Sequence, residues 1–163
     1  MDRRAGKGLA APGVRLDLAG VGKALGIGWA AMCLAGHAGL LVDVGGDVMA
    51  LGTDDKGEPW RVSIFHDKVV GELSGSSLAV ATSTTKKRAW KAGDEEAHHL
   101  IDPRTGGPSH GEISYATVAA PTILEADLGA KLLILEGKSA LRRFDARYKA
   151  VVTDRWGCSE VLA

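Results

Sequence analysis

The sequence predicts an α+β fold, mixed α/β in character and a single domain, in which a mostly antiparallel sheet carries two main helices. Three observations lead there. Short stretches with strand character recur from residue 14 to residue 162, separated by glycine-bearing and charged turns. Two substantial helical segments, 21–37 and 121–136, interrupt them. A length of 163 residues suits one core, and the chain has no repeat, low-complexity segment or interdomain linker.

Composition narrows the function classes. With 45% hydrophobic and 25% charged residues the chain reads as ordinary globular protein. The 20 Lys+Arg balance the 20 Asp+Glu, so no overall charge draws it to nucleic acid or an anionic membrane, while a small anionic ligand stays possible. Twenty-two glycines suggest many tight turns or backbone-lined ligand contacts. Cys33 and Cys158 lack CxxC spacing, so neither a zinc site nor a disulfide scaffold is indicated. Arg3, Arg4 and Lys7, followed by the apolar run 24–32 and Cys33, imitate a lipoprotein signal. Asp17 and Lys23 interrupt that pattern, and the run is too short to span a bilayer, so it is read as an internal amphipathic helix. The expected location is cytoplasmic.

In chain order, residues 1–12 form a flexible N-terminal segment ahead of a domain over 13–163. Residues 14–18, VRLDL, alternate as a strand, and a glycine turn leads into a helix from about Val21 to His37. Strand, glycine turn and helix N-terminus make a plausible anion site to which Lys23 adds charge; close helix packing is the other reading of Gly20 and Gly22. A hairpin follows, 39–44 and 48–51, with Gly45-Gly46 supplying positive φ. Asp47 is read as capping that turn, with a ligand-facing role as the alternative. Residues 60–65, 68–73 and 77–82 are strands, the last two assigned to one sheet. The corner Thr82-Ser83-Thr84-Thr85-Lys86-Lys87-Arg88 joins hydroxyls to cations, a mixture suited to phosphate or to a solvated turn. Beyond it, 113–120 is a strand, Pro121-Thr122 starts the second helix, Gly137 caps it, 139–147 is a short helix, and 149–154 and 156–162 close the sheet.

The stretch HHLIDPRTGGP, residues 98–108, holds two imidazoles, a carboxylate, a guanidinium and a hydroxyl beside Pro103, Gly106 and Gly107. Leu100 and Ile101 are expected to anchor its start in the core, fixing the polar groups at a rim. An ordinary turn explains the backbone chemistry but not the paired histidines, since histidine titrates near neutral pH and also ligates metals.

Six ordered blocks resemble the ApbE family of FAD:protein FMN transferases: LDLAGVGKA (16–24), LVDVGGDVMALG (41–52), PWRVSI (59–64), AVATSTTKKRAW (79–90), HHLIDPRTGGP and TVAAPTILEADLGA (117–130). The resemblance implies an ApbE-like flavin-nucleotide-binding domain that takes FAD and, with magnesium at the pyrophosphate, transfers FMN to a Ser or Thr hydroxyl of an acceptor flavoprotein, releasing AMP. By motif position it makes His99 the catalytic acid/base and sets Lys23, Ser83, Thr84, His99, Asp102 and Thr105 around the flavin nucleotide, with Asp102 and Thr105 holding the loop's shape. The Gly22 carbonyl and the Asp127 carboxylate fall where the family places metal ligands. Three departures stand out. Lys131 takes the place of a metal-binding Thr four residues after Asp127, and Ala19 replaces a glycine. The chain begins just ahead of the first block, so the family's N-terminal half is expected from a partner or from self-association, with a homo-oligomer as the expected state. The alternative function is a shortened, non-catalytic flavin-nucleotide-binding or partner-interaction module, in which Asp127–Lys131 is a plain i,i+4 pair.

Overall fold

The elements run α1 (Gly22–Cys33), β1 (Gly39–Val44), β2 (Asp47–Gly52), β3 (Trp60–His66), β4 (Lys68–Gly75), β5 (Ser77–Thr84), β6 (Ala89–Ala92), β7 (Glu95–His98), β8 (Ile113–Ala119), α2 (Ile123–Glu136), a 3-10 helix (Gly137–Arg143), β9 (Lys149–Asp154) and β10 (Ser159–Leu162). The structure, a computed structural model, describes residues 13, 18–93 and 95–162. The expected segment 1–12 and most of the expected strand 14–18 lie outside the described residues. All described strand pairs are antiparallel, and six strands form one sheet in the order β1-β2-β5-β8-β9-β10.

Both helices cover one face of that sheet. Ala130, Leu133 and Ile134 of α2 meet Ala116 and Val118 of β8 and Ala150 and Val152 of β9. A second cluster joins Ala24 and Ile27 of α1 to Ala79 and Ala81 of β5 and to Ile123 and Ala126 of α2. Small side chains let these layers approach closely. At Gly129 a Cβ would sit 3.2 Å from Val118 and Phe144, so a larger residue there would push these side chains back by a few tenths of an ångström, and the bare position lets α2 lie close on β8. Thr122 caps α2 by accepting the Glu125 N–H, and Gly137, at φ 64°, ends it as expected.

The hairpin β1–β2 turns through Gly45 and Gly46, at φ 62° and 89°. Asp43, not Asp47, caps this turn by accepting the Gly46 N–H at 2.9 Å. Helix α1 stops at Cys33 rather than His37, because Gly36 enters the left-handed region at φ 105° and turns the chain toward β1. The expected helix over 139–147 is instead a 3-10 turn ending at Arg143, and an Asx turn from Asp145 to the Arg147 N–H redirects the chain into β9.

Strand β4 does not join β5 in the main sheet as assigned from sequence; β3 and β4 pair only with each other among the described residues. Their hairpin lies on the sheet face opposite the helices. Val118 and Ala116 face α2, so Thr117 points the other way, and there its hydroxyl meets His66 Nε2 at 2.8 Å. His66 Nδ1 contacts Thr153 Oγ1 at 2.7 Å, and the row continues through Thr117 to Thr82 and through Thr153 to Ser159. The imidazole also stacks on Tyr115 at 5.0 Å, and the neighbouring Asp67 accepts from the Tyr115 hydroxyl and pairs with Lys86.

Burial holds the His66 imidazole down at about 4, partly opposed by Asp67. An unfolded chain would take up this proton near pH 6.5, so stability falls as pH drops from 6.5 toward 4 and is lost no further through this group below 4. The loss amounts to at most about 3 kcal/mol. Urea unfolding at stepped pH is expected to show this slope in the native chain and a much flatter profile in His66→Gln.

Candidate functional site

A cleft of about 530 Å³ opens where the N-terminus of α1, the β1–β2 turn, the ends of β3 and β5, and α2 converge. Ala19, Gly20 and Lys23 reach it from the α1 end, and Gly45 and Gly46 from the turn. Ser63 and Phe65 form one wall, Thr82, Ser83 and Thr84 the floor, Lys87 and Arg88 the rim, and His99, Tyr115, Asp127 and Lys131 complete the lining. Lys23, Lys87, Arg88 and Lys131 thus bring four cations against two carboxylates, Asp47 beneath the turn and Asp127. With the partly positive end of α1, this favours an anionic ligand.

Each carboxylate is already engaged. Asp47 is 1% exposed; its Oδ1 accepts the Thr82 N–H at 3.0 Å, and its Oδ2 meets the Lys23 ammonium at 2.6 Å without hydrogen-bond directionality. Asp47 therefore ties β2 to β5 and aims Lys23, instead of capping its own turn. Asp127 is 3% exposed, and its Oδ1 is taken by Lys131 Nζ one helical turn on.

The two histidines divide sharply. His98 is buried; its Nδ1 accepts the Leu100 N–H at 3.2 Å, which leaves Nε2 to carry the proton donated to the Ser109 carbonyl at 2.9 Å. His99 points the other way and lines the cleft. Burial, then the charges of Arg88, His98 and Lys131, push its imidazole below the usual value, with a backbone contact at Arg88 working in the opposite sense. At neutral pH His99 is a neutral base facing a cleft lined by cations.

Sequence-expected residues fall on both sides of this boundary. Lys23, Ser83, Thr84, His99 and Asp127 line the cleft; Asp102, Thr105 and Gly22 do not. Asp102 accepts the backbone N–H and side chain of Arg104, and that guanidinium holds its carboxyl at about 2. Arg104 also donates to the Leu135 carbonyl, clipping the loop to the end of α2. Thr105 donates to the Asp102 carbonyl and accepts from Gly107, so both residues shape the loop. Leu100 alone anchors this stretch, because the next side chain along an extended chain turns outward and leaves Ile101 exposed. Thr84 spends its hydroxyl on the Ser114 carbonyl, whereas Ser83, largely buried, is part of the cleft lining. Ser63, Phe65 and Tyr115 were not foreseen. The alternation of β3 could have shown Ser63 and Phe65 sharing a face, but not what that face lines.

The residues present do not fit the magnesium ion that the resemblance implies. Magnesium demands a near-octahedral set of oxygens and sheds water reluctantly. Gly22 opens α1, so its carbonyl points along the helix and away from the end that faces the cleft. Asp127 has one oxygen on an ammonium and the other enclosed, without a hydrogen bond. Among the described residues, no three His, Cys, Asp or Glu side chains gather as a metal site.

Comparison with known proteins agrees with the fold. The profile of the ApbE family matches residues 1–152. The chain is 34% identical over 127 residues to a protein of Salmonella typhimurium named FAD:protein FMN transferase, covering 71% of this chain and 35% of that protein. It is 34% identical over 142 residues to a protein of that name from Rhodobacter capsulatus, covering 83% and 27%. The chain thus spans about a third of the length of these curated relatives. The crystal structure of the ApbE protein from Thermotoga maritima aligns with a TM-score of 0.78 and 27% identity, over 91% of this chain and 52% of that one. The flavin transferase ApbE of Vibrio cholerae aligns with a TM-score of 0.71 over 93% and 51%, and at 24% identity it supports the fold alone. With the same fold and a family profile over nearly its whole length, this chain belongs to the ApbE family.

Proposed function

We propose that the chain binds FAD in the cationic cleft and transfers its FMN part to a Ser or Thr hydroxyl of an acceptor flavoprotein. The observation that carries this reading is His99, a neutral imidazole held among four cations in a cleft of the ApbE fold. The acceptor oxygen attacks the FMN phosphorus and a new O–P bond forms. The pyrophosphate P–O bond breaks, AMP leaves with that electron pair, and the hydroxyl proton passes to the His99 imidazole. Lys23, steered by Asp47, and Arg88 at the rim offset charge that builds on the phosphate oxygens. Ser83, on the cleft floor, would contact the nucleotide.

The test is incubation of the chain with FAD and an acceptor carrying the modification site, with and without magnesium. A fluorescent flavin band on a denaturing gel, with AMP in the supernatant, is expected. No band where a full-length relative gives one would sink the transferase reading and leave the second, an FAD-binding module without transfer. What favours that second reading is the Lys131 ammonium seated on Asp127.

A homo-oligomer or a partner chain belongs to the same proposal, supported by the outward-facing Trp29 and Met32 of α1, 65% and 74% exposed. Light scattering is expected to report more than one chain per particle; a monomer at high concentration contradicts self-association.

A further inference from the structure

We propose that Lys131 is a built-in cation standing where a metal would otherwise sit, so that this cleft binds the FAD pyrophosphate without magnesium. The inference rests on the nucleotide-cleft reading above and deepens it. It starts from the ion pair on α2. Asp127 and Lys131 lie one helical turn apart, both line the cleft, and the lysine side chain is only 23% exposed. A lysine that merely decorated the helix would extend into solvent; this one folds back onto a buried carboxylate and keeps its charge at the ligand's edge.

Among the described residues, the rest of the cleft leaves no opening for a divalent ion. Asp47, its other buried carboxylate, is shared between the Thr82 N–H and Lys23. The remaining oxygen of Asp127 is enclosed and makes no hydrogen bond. A magnesium ion would have to displace the ammonium and then remain beside it, with Lys23, Lys87 and Arg88 lining the same space. Repulsion from each of these opposes it, and the protein provides few oxygens to replace the ion's water. A doubly anionic pyrophosphate meets the opposite situation, because two of the four cations remain uncompensated by the two carboxylates. Lys131 can then donate to a phosphate oxygen while Asp127 holds it in position, combining the metal's charge with a fixed orientation.

The test is FAD affinity by titration calorimetry of the whole chain in EDTA and in excess magnesium, for the native protein, Lys131→Thr and Lys131→Met. Native affinity is expected to be the same in both buffers. Each variant is expected to bind roughly tenfold more weakly in EDTA, a change of one decade in Kd. Magnesium should restore Lys131→Thr, which regains an oxygen ligand and frees Asp127, but not Lys131→Met. Mn²⁺ alone, followed by the loss of its free-ion EPR signal, should be taken up by Lys131→Thr and not by the native chain. Thermal melts of both variants confirm that they fold. A tenfold or greater gain in native affinity on adding magnesium overturns the proposal while leaving the nucleotide cleft intact. Native-like FAD affinity of Lys131→Met in EDTA also overturns it. Absence of FAD binding to the native chain in either buffer overturns both this inference and the cleft reading.

Discussion

Replacing His99 by Ala is expected to lower the rate of flavin transfer by about 10²–10⁴-fold, the span commonly lost with a positioned general base, while FAD affinity changes little. The separation follows from where the imidazole sits. It lines the cleft as a neutral group, so in the ground state it gives the anion little Coulombic attraction, and its value lies in accepting the hydroxyl proton as the O–P bond forms. The same change at His98 is expected to act differently. His98 bridges the Leu100 N–H and the Ser109 carbonyl, so His98→Ala loosens the base of the 102–107 loop and shows first in the melting temperature. Transfer assays and FAD titrations on both variants separate the roles. Equal loss of binding and rate in His99→Ala would make that residue a ligand contact instead of a base. A base of lowered pKa also places the acid limb of the transfer rate below the ordinary histidine value, with activity rising through that limb as pH increases.

Lys23→Met is expected to lower stability by about 2–3 kcal/mol in urea unfolding. Asp47 is essentially inaccessible, and losing its one cation among the described residues leaves a buried charge supported by one backbone N–H. The figure sits at or below the low end for broken buried pairs because the lysine side chain is 43% exposed and keeps part of its hydration. FAD affinity should fall as well. Adding Asp47→Asn to Lys23→Met should return much of the stability, since the neutral amide can still accept the Thr82 N–H, but none of the affinity. Unchanged stability in the single variant would mean that the pair is not formed.

Legibility from sequence followed the range of the interactions involved. The β1–β2 hairpin was readable because Gly45-Gly46 can hardly do anything else, and α2 because Thr122 and Gly137 mark its ends locally. Lys23, Ser83, Thr84, His99 and Asp127 were placed by motif resemblance, and the fold brings these five to one cleft. The misses are tertiary. Asp47 reads locally as a turn cap, yet its partners Lys23 and Thr82 lie 24 and 35 positions away in the chain. The hairpin β6–β7 was not foreseen, because its strands, AWKA and EEAH, are short and too charged to show an apolar alternation. Nothing near His66 in the chain predicts a buried imidazole, because the hydroxyls that receive it come from β8 and β9.

The hairpin that carries His66 separates two kinds of change along a single strand. In β3 the side chains of Ile64 and His66 point into the protein, while Arg61, Ser63 and Phe65 are exposed, the last two along the cleft. Even positions therefore bear the cost of docking and odd positions are free to drift. Selection on the shape of what enters the cleft could rewrite Ser63 and Phe65 without disturbing the row of hydroxyls beneath. A library randomised at those two codons alone would sample new acceptor geometries on an unchanged scaffold.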